Sequence, residues 1–139
     1  MFNVVLDTNI ILSAIYSKSS YHVILKKLFE GKFYLHVSTE ILLEYEEKIS
    51  NIFNAQVAET FIAALILNNH VIKTETFFDL NLIHQDKDDN KFVNCVFAAN
   101  AHFLVTNDKH FNVLKTIDFP KINVINIDDF IEILNSNSL

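Results

Sequence analysis

The chain has 139 residues, half of them hydrophobic, and a formal net charge of −6. This length predicts a single domain with a sizeable core, and the one cysteine, Cys95, excludes a framework of intrachain disulfides. All 11 basic residues are lysines, so a bidentate arginine grip on phosphate is excluded, and the acidic balance counts against simple binding along a nucleic-acid backbone.

The first half of the chain alternates short β-type runs with helix-spaced apolar residues. Residues 3–6 predict a buried strand that ends at Asp7, and residues 9–15 predict a helix. A helix over 21–29 should end at Gly31, because glycine is favoured just beyond a helix. We then expect a strand at 33–37, a helix capped by Ser38 and Thr39 that runs to about Ile49, a helix at 55–67 and a strand at 70–74.

The second half continues this alternation, which predicts an α/β fold with a mostly parallel sheet. The predicted elements are a helix at 89–101, a strand at 103–105, a helix to about Lys115, a strand at 122–125 and a helix from Asp128 to about Leu134. One domain should cover residues 1–135, and residues 136–139 should form a frayed tail.

The sequence predicts neither a membrane-spanning helix nor a secretory signal. No apolar run approaches the roughly 18 residues that a spanning helix needs. The N-terminus has no basic start and reaches an Asp by position 7, which is not typical of a secretory signal. We therefore expect a cytoplasmic protein with no membrane partner.

Four carboxylates should gather at one edge of the sheet if the strands are adjacent and parallel. Asp7 follows the predicted strand at 3–6, and Asp108 follows the predicted strand at 103–105. Asp89 opens the helix that precedes the strand at 103–105, and Glu44 lies early in the helix that follows the strand at 33–37. Ligands of open α/β sheets bind beyond the carboxyl ends of the strands. Mg²⁺ and Mn²⁺ prefer oxygen ligands, and a bound cation would relieve the repulsion between converging carboxylates.

Each acid also has a structural interpretation. Those at 7, 89 and 108 could cap the helices that they precede, and Glu44 could pair with Lys48 four residues later. Against this, Asp86, Asp88 and Asp89 supply more acid than one cap requires.

Other chemistries find less support. The six histidines show no paired metal-ligand spacing, so we interpret them as surface or packing residues, and Cys95 as core. A single glycine excludes Gly-rich phosphate loops, dinucleotide fingerprints and the nucleophile elbow of serine hydrolases.

Four segments resemble the motifs of the PIN-domain family, in the family's order. They are Val-Val-Leu-Asp-Thr-Asn at 4–9, Ser-Thr-Glu-Ile-Leu-Leu-Glu-Tyr at 38–45, Asp-Lys-Asp-Asp-Asn-Lys-Phe at 86–92 and Leu-Val-Thr-Asn-Asp at 104–108. The resemblance covers nearly the whole chain and is strongest to the branch of toxins from toxin–antitoxin pairs. It implies a PIN-like three-layer sandwich with helices on both sides of the sheet, and hydrolysis of RNA phosphodiester bonds with Mg²⁺ or Mn²⁺.

The resemblance also implies roles for individual residues and for partners. The implied catalytic acids and metal ligands are Asp7, Glu44, Asp89 and Asp108. Asn9 and Thr106 would be polar supports, and Asp88 is the alternative to Asp89 as the third acid. Many relatives have Thr-Gly-Asp where this chain has Asn107 in the middle, a residue that tolerates left-handed backbone. The implied partners are an RNA substrate, a protein antitoxin and a second copy in a homodimer.

Three other functions stay open at this point. One is a PIN-like module that binds a partner without catalysis. A phospho-acceptor receiver would need a Lys after its last strand, where this chain has Asp128. A haloacid-dehalogenase-type phosphatase would need Asp-x-Asp after its first strand, where this chain has Asp7-Thr8-Asn9.

Overall fold

A computed structural model describes residues 1–136, and this part of the chain forms one sheet surrounded by helices. The strands are β1 (Asn3–Leu6), β2 (Tyr34–Val37), β3 (Val71–Lys73), β4 (Phe103–Val105) and β5 (Val124–Ile125). The α-helices are α1 (Thr8–Ile15), α2 (Val23–Phe29), α3 (Thr39–Ile52), α4 (Ala55–Leu67), α5 (Asn90–Ala99) and α6 (Ile127–Ser136). Segments of 3-10 helix lie at Ser20–His22, Lys87–Asp89 and Lys109–Thr116.

The sheet is parallel throughout and has the order β3-β2-β1-β4-β5. The chain therefore moves outward from the central strand β1 through β2 to β3, and then returns to the other side of β1 with β4 and β5. Leu6 pairs with Val105, so β1 and β4 end at the same level. This reversal of strand order creates the crevice in which α/β sheets bind ligands.

Helices cover both faces of the sheet. Val4, Val5 and Leu6 are all fully buried, although successive side chains of a strand point to opposite faces. Both faces of β1 are therefore packed, as is typical of buried parallel sheets. The ring of Phe33, just before β2, packs edge-on against Phe130 of α6. The predicted three-layer α/β sandwich is confirmed.

Most predicted elements are present, with differences at their edges. Gly31 follows α2 with φ +76° and donates its N–H to the Leu28 carbonyl, which confirms its predicted place beyond the helix. The segment after Asp108 is a 3-10 helix and not the predicted α-helix. The last strand is reduced to two residues, although Leu104 N already bonds to the Asn123 carbonyl.

Ser136 is the last residue of α6, and the rest of the predicted tail, 137–139, lies outside the described residues. Over residues 1–136, no helix combines the length and apolar character required to cross a membrane.

Candidate metal centre

The candidate site lies where β1 and β4 end side by side. The backbone N–H of Asp7 donates to the Val105 carbonyl at 3.0 Å, which continues the pairing of the two strands by one residue. The Thr106 hydroxyl donates to Asp7 Oδ2 at 2.7 Å and accepts from the backbone N–H of Asp108 at 3.0 Å. One hydroxyl thus ties both predicted acids to the ends of adjacent strands.

Two of the predicted acids occupy helix N-cap positions without capping the helix. Asp7 precedes α1 and Asp89 precedes α5, yet neither carboxylate makes a capping hydrogen bond to its helix, although the backbone N–H of Thr8 interacts with Asp7 and lowers the pKa of Asp7. They are only 5 % and 9 % exposed. Since a carboxylate is costly to bury unless it is paired or hydrogen-bonded, capping does not explain either residue.

Burial is also the main cause of their altered acidity. It raises the pKa of Asp7 to about 6, although the hydrogen bond from Thr106 opposes the rise, and the neighbouring charges of Asp108 and Glu44 add to it. The pKa of Asp89 is likewise raised to about 6, first by burial and then by Asp86 and Asp108. These mutual effects place the acids within electrostatic reach of one another.

Asp108 does cap the segment that follows it, and brings a histidine into the site. Its Oδ1 accepts from the His110 N–H at 2.9 Å. The imidazole Nδ1 of His110 lies 3.3 Å from Asp89 Oδ2 and 3.6 Å from Asp108 Oδ1. Ligand atoms of Asp86, Asp89 and His110 all lie within 4.8 Å of one another.

The side chain of His110 is 41 % exposed, as its interpretation as a surface residue predicts, but it also lies beside two acids of the site. One of its partners, Asp89, comes from a distant segment, so a pattern of two histidines on one helix could not identify it. The sequence did place His110 two residues after Asp108, the acid of the fourth motif, and this spacing could have indicated that the histidine lies near the site. The packing interpretation holds for His36, which bonds to Asn3 and Thr74 across the sheet.

Glu44 is held from two sides. Its Oε2 accepts from the Thr8 hydroxyl, and its Oε1 forms an ion pair with Lys91 Nζ at 2.9 Å. The next residue, Tyr45, is fully buried and donates its hydroxyl to the Leu6 carbonyl at 2.5 Å, which fixes α3 against the end of β1. The structure therefore pairs Glu44 with Lys91 and not with Lys48.

The supporting residues differ in their placement. Asn9 is exposed on the first turn of α1, and its carbonyl accepts from Ser13. The side chain of Asp88 is 86 % exposed and lies 3.8 Å from Lys91. Of the two adjacent acids, Asp89 is the buried one. The sequence did not single out Thr8, because its bond to Glu44 depends on how α1 packs against α3.

This donor set fits a hard divalent cation. Asp7, Asp89 and Asp108 offer carboxylate oxygens, the ligands that Mg²⁺ and Mn²⁺ prefer. Asp7 and Asp89 are buried without capping bonds, so their negative charge destabilises the metal-free fold. A bound cation would neutralise that charge.

Comparisons with known proteins bear on the family and the fold of the chain. The sequence matches the PIN-domain profile over residues 3–110. One similar structure is described as VapBC2 from Rickettsia felis bound to a DNA fragment from their promoter, with TM-score 0.62, 22 % identity, and coverage of 89 % of this chain and 98 % of that chain. Another is FitAcB from Neisseria gonorrhoeae, with TM-score 0.57, 14 % identity, and coverage of 89 % and 97 %. No curated protein sequence matches the chain.

The family match covers more than half of the chain. The protein therefore belongs to the PIN-domain family. At these identities, the two solved structures support the shared fold.

Proposed function

We propose that the protein is a divalent-metal-dependent endoribonuclease that hydrolyses RNA phosphodiester bonds. The observation that supports this most is the pair of buried, non-capping carboxylates, Asp7 and Asp89, beside Asp108 at the reversal of strand order. In this proposal Asp7, Asp89 and Asp108 hold Mg²⁺ or Mn²⁺, and Glu44 is the fourth acid of the pocket.

The protein's own residues would position the reaction. Thr106 fixes the orientation of the Asp7 carboxylate, and Tyr45, the residue after Glu44, holds α3 against the end of β1. A divalent cation bound there supplies Lewis-acid activation of water and of the phosphodiester. Lys109, next to Asp108, and Lys87 and Lys91, around Asp89, would meet the charges of neighbouring phosphates in place of arginine.

The test is RNA cleavage by the purified chain and by Asp108→Asn. The amide oxygen of Asn can still accept from the His110 N–H, so the local fold should persist while one ligand charge is lost. We expect Mn²⁺-dependent cleavage of single-stranded RNA by the wild-type chain, and a rate at least about 100-fold lower in the variant, since even outer-shell changes at metal sites cost 10–100-fold.

Asp118→Asn is the matched control, because it makes the same charge change at an exposed position. Cleavage that persists in excess chelator, or that is equal in Asp108→Asn and wild type, would contradict the proposal. Metal binding without any cleavage would favour the catalytically silent binding module.

We further propose that the chain is the toxin of a toxin–antitoxin pair, with a protein antitoxin as partner. The names of the two structural neighbours motivate this. An apolar cleft of about 570 Å³ between α1–α2 and α4 supports a protein partner; it is lined by Ile15, Leu25, Phe29, Val57, Phe61 and Ala64 among others. The homodimer stays a prediction from the family resemblance, and the cytoplasmic location stays a prediction from the sequence.

Co-expression with the product of the neighbouring gene tests the partner. We expect the two chains to co-purify and the complex to cleave RNA more slowly than the isolated chain. Light scattering on the isolated chain measures whether it is a dimer. Failure to co-purify, or full activity of the complex, would contradict the antitoxin proposal without affecting the nuclease proposal.

A further inference from the structure

Lys91 is an unusually enclosed cation within the acidic pocket. It lies in the first turn of α5, two residues after Asp89, and its side chain is only 16 % exposed. Its Nζ is 2.9 Å from Glu44 Oε1 and 3.8 Å from Asp88 Oδ1. Lysines are seldom this buried unless they are paired, so the ammonium is a fixed positive charge of the site.

The carboxylates of the pocket fall into two groups. Both oxygens of Glu44 are engaged, one by the Thr8 hydroxyl and the other by Lys91. On the other side, among residues 1–136, no lysine forms an ion pair with Asp7, Asp89 or Asp108, and the imidazole of His110 is the basic group that contacts Asp89 and Asp108. Positive charge is therefore already supplied on the Glu44 side and is missing on the Asp7 side.

We propose that Lys91 takes the place of a second divalent cation, so that the pocket binds one metal ion on the Asp7 side and Glu44 serves to hold the lysine. This inference rests on the proposed metal centre and specifies its occupancy. A second cation ligated by Glu44 would have to displace the ammonium or lie beside it on the same carboxylate. A dication and an ammonium that share one carboxylate repel strongly in a partly buried site.

The lysine also suits the chemistry that a second cation performs elsewhere. In two-metal sites, the second ion stabilises negative charge on one of the oxygens of the reacting phosphate. An ammonium is a compact point charge with three donors and can meet a phosphate oxygen without fixed coordination geometry. Lys91, held by Glu44, would thus be an electrostatic contact for the scissile phosphate.

Metal stoichiometry, measured without RNA, tests this directly. Mn²⁺ is titrated into the full chain at neutral pH, with free Mn²⁺ followed by electron paramagnetic resonance. We expect one saturable site per chain in the wild type and in Lys91→Arg, which keeps the charge. We expect two sites in Lys91→Met, which keeps the apolar stem and removes the charge.

Two further variants make the test specific. Lys87→Met removes the same charge from an exposed residue four positions earlier, and should still bind one Mn²⁺. Glu44→Gln should also keep one site, because Glu44 holds Lys91 and not the metal. This variant provides a second test if Lys91→Met does not fold, which thermal unfolding followed by circular dichroism would show.

Several results would overturn the inference. Two Mn²⁺ sites in the wild type would contradict it, as would a single site in a folded Lys91→Met variant. Loss of the single site in Glu44→Gln would also contradict it. A wild-type chain that binds one Mn²⁺ but cleaves no RNA would refute the nuclease proposal and leave the inference intact. No Mn²⁺ binding in any chain would contradict both.

Discussion

Replacing Asp7 with asparagine should abolish metal binding and RNA cleavage while making the metal-free protein more stable. Asp7 follows the central strand, is 5 % exposed, and lies within electrostatic reach of Asp108 and Glu44. Losing its charge removes a proposed ligand, so we expect Mn²⁺ affinity and the cleavage rate to fall by more than about 100-fold. Calorimetric titration and a single-turnover cleavage assay measure the two effects.

The gain in stability follows from the raised pKa of Asp7. Burial raises this pKa from 3.8 to about 6, so the folded state at pH 7 carries an ionised group that ionises more readily in the unfolded chain. A shift of this size corresponds to at most about 3 kcal/mol. Asparagine removes the charge, and its amide oxygen can still accept from Thr106. We expect metal-free Asp7→Asn to be about 1–3 kcal/mol more stable at pH 7.

Asp118→Asn again serves as the control, because its exposed carboxylate should leave both stability and metal binding nearly unchanged. Chemical denaturation of metal-free proteins gives the stability difference. If Asp7→Asn bound Mn²⁺ as tightly as the wild type, Asp7 would not be a ligand. If the variant were less stable than the wild type, the carboxylate would have a structural role that its hydrogen bonds do not reveal.

The fold and the strand-end acids could be predicted from the sequence because they depend on local patterns. A β-type run that ends in Asp places that Asp at the end of a strand, and parallel strands bring such ends to one edge. The acids at 7 and 108 converge only if β1 and β4 are neighbours, and the pairing of these two strands shows that they are. The four motifs supplied the order of the segments, and hence the expectation that the acids converge.

The remaining parts of the pocket depend on packing between distant segments. Lys91 reaches Glu44 because α5 lies against α3, and His110 reaches Asp89 because the chain after Asp108 tightens into a 3-10 helix. Eight residues with two buried apolar side chains do not distinguish a period of 3.0 from one of 3.6, so the sequence predicted an α-helix there. Assigning these partners to Lys91 and His110 required the three-dimensional arrangement.

Metal affinity should fall steeply as the pH drops below about 6. The pKa values of Asp7 and Asp89 are both raised to about 6, and both carboxylates must be deprotonated to bind a cation. Binding at pH 5 therefore displaces up to two protons, and the Mn²⁺ affinity should fall by up to about 100-fold per pH unit there. Above pH 7 the dependence on these groups should vanish. Titrations from pH 5 to pH 8 measure the slope.

The stability of the metal-free chain should change in the opposite direction over the same range. A carboxylate whose pKa is raised by folding contributes stability that is complete below its unfolded pKa, near 4, and is lost as the pH rises through the folded value of about 6. Metal-free protein should thus be less stable at pH 7 than at pH 5, and saturating Mn²⁺ should reverse this order, because ligand binding to the folded state adds stability.

Asp7→Asn provides the internal check on this pH dependence. With one of the two raised carboxylates removed, the metal-free chain should lose only about half as much stability between pH 5 and pH 7. Thermal unfolding at both pH values, with and without Mn²⁺, separates the contributions. Equal pH dependence of stability in the variant and the wild type would show that the raised pKa of Asp7 does not cause this dependence. The cluster of Asp89, Asp86 and His110 would then be the group to test next.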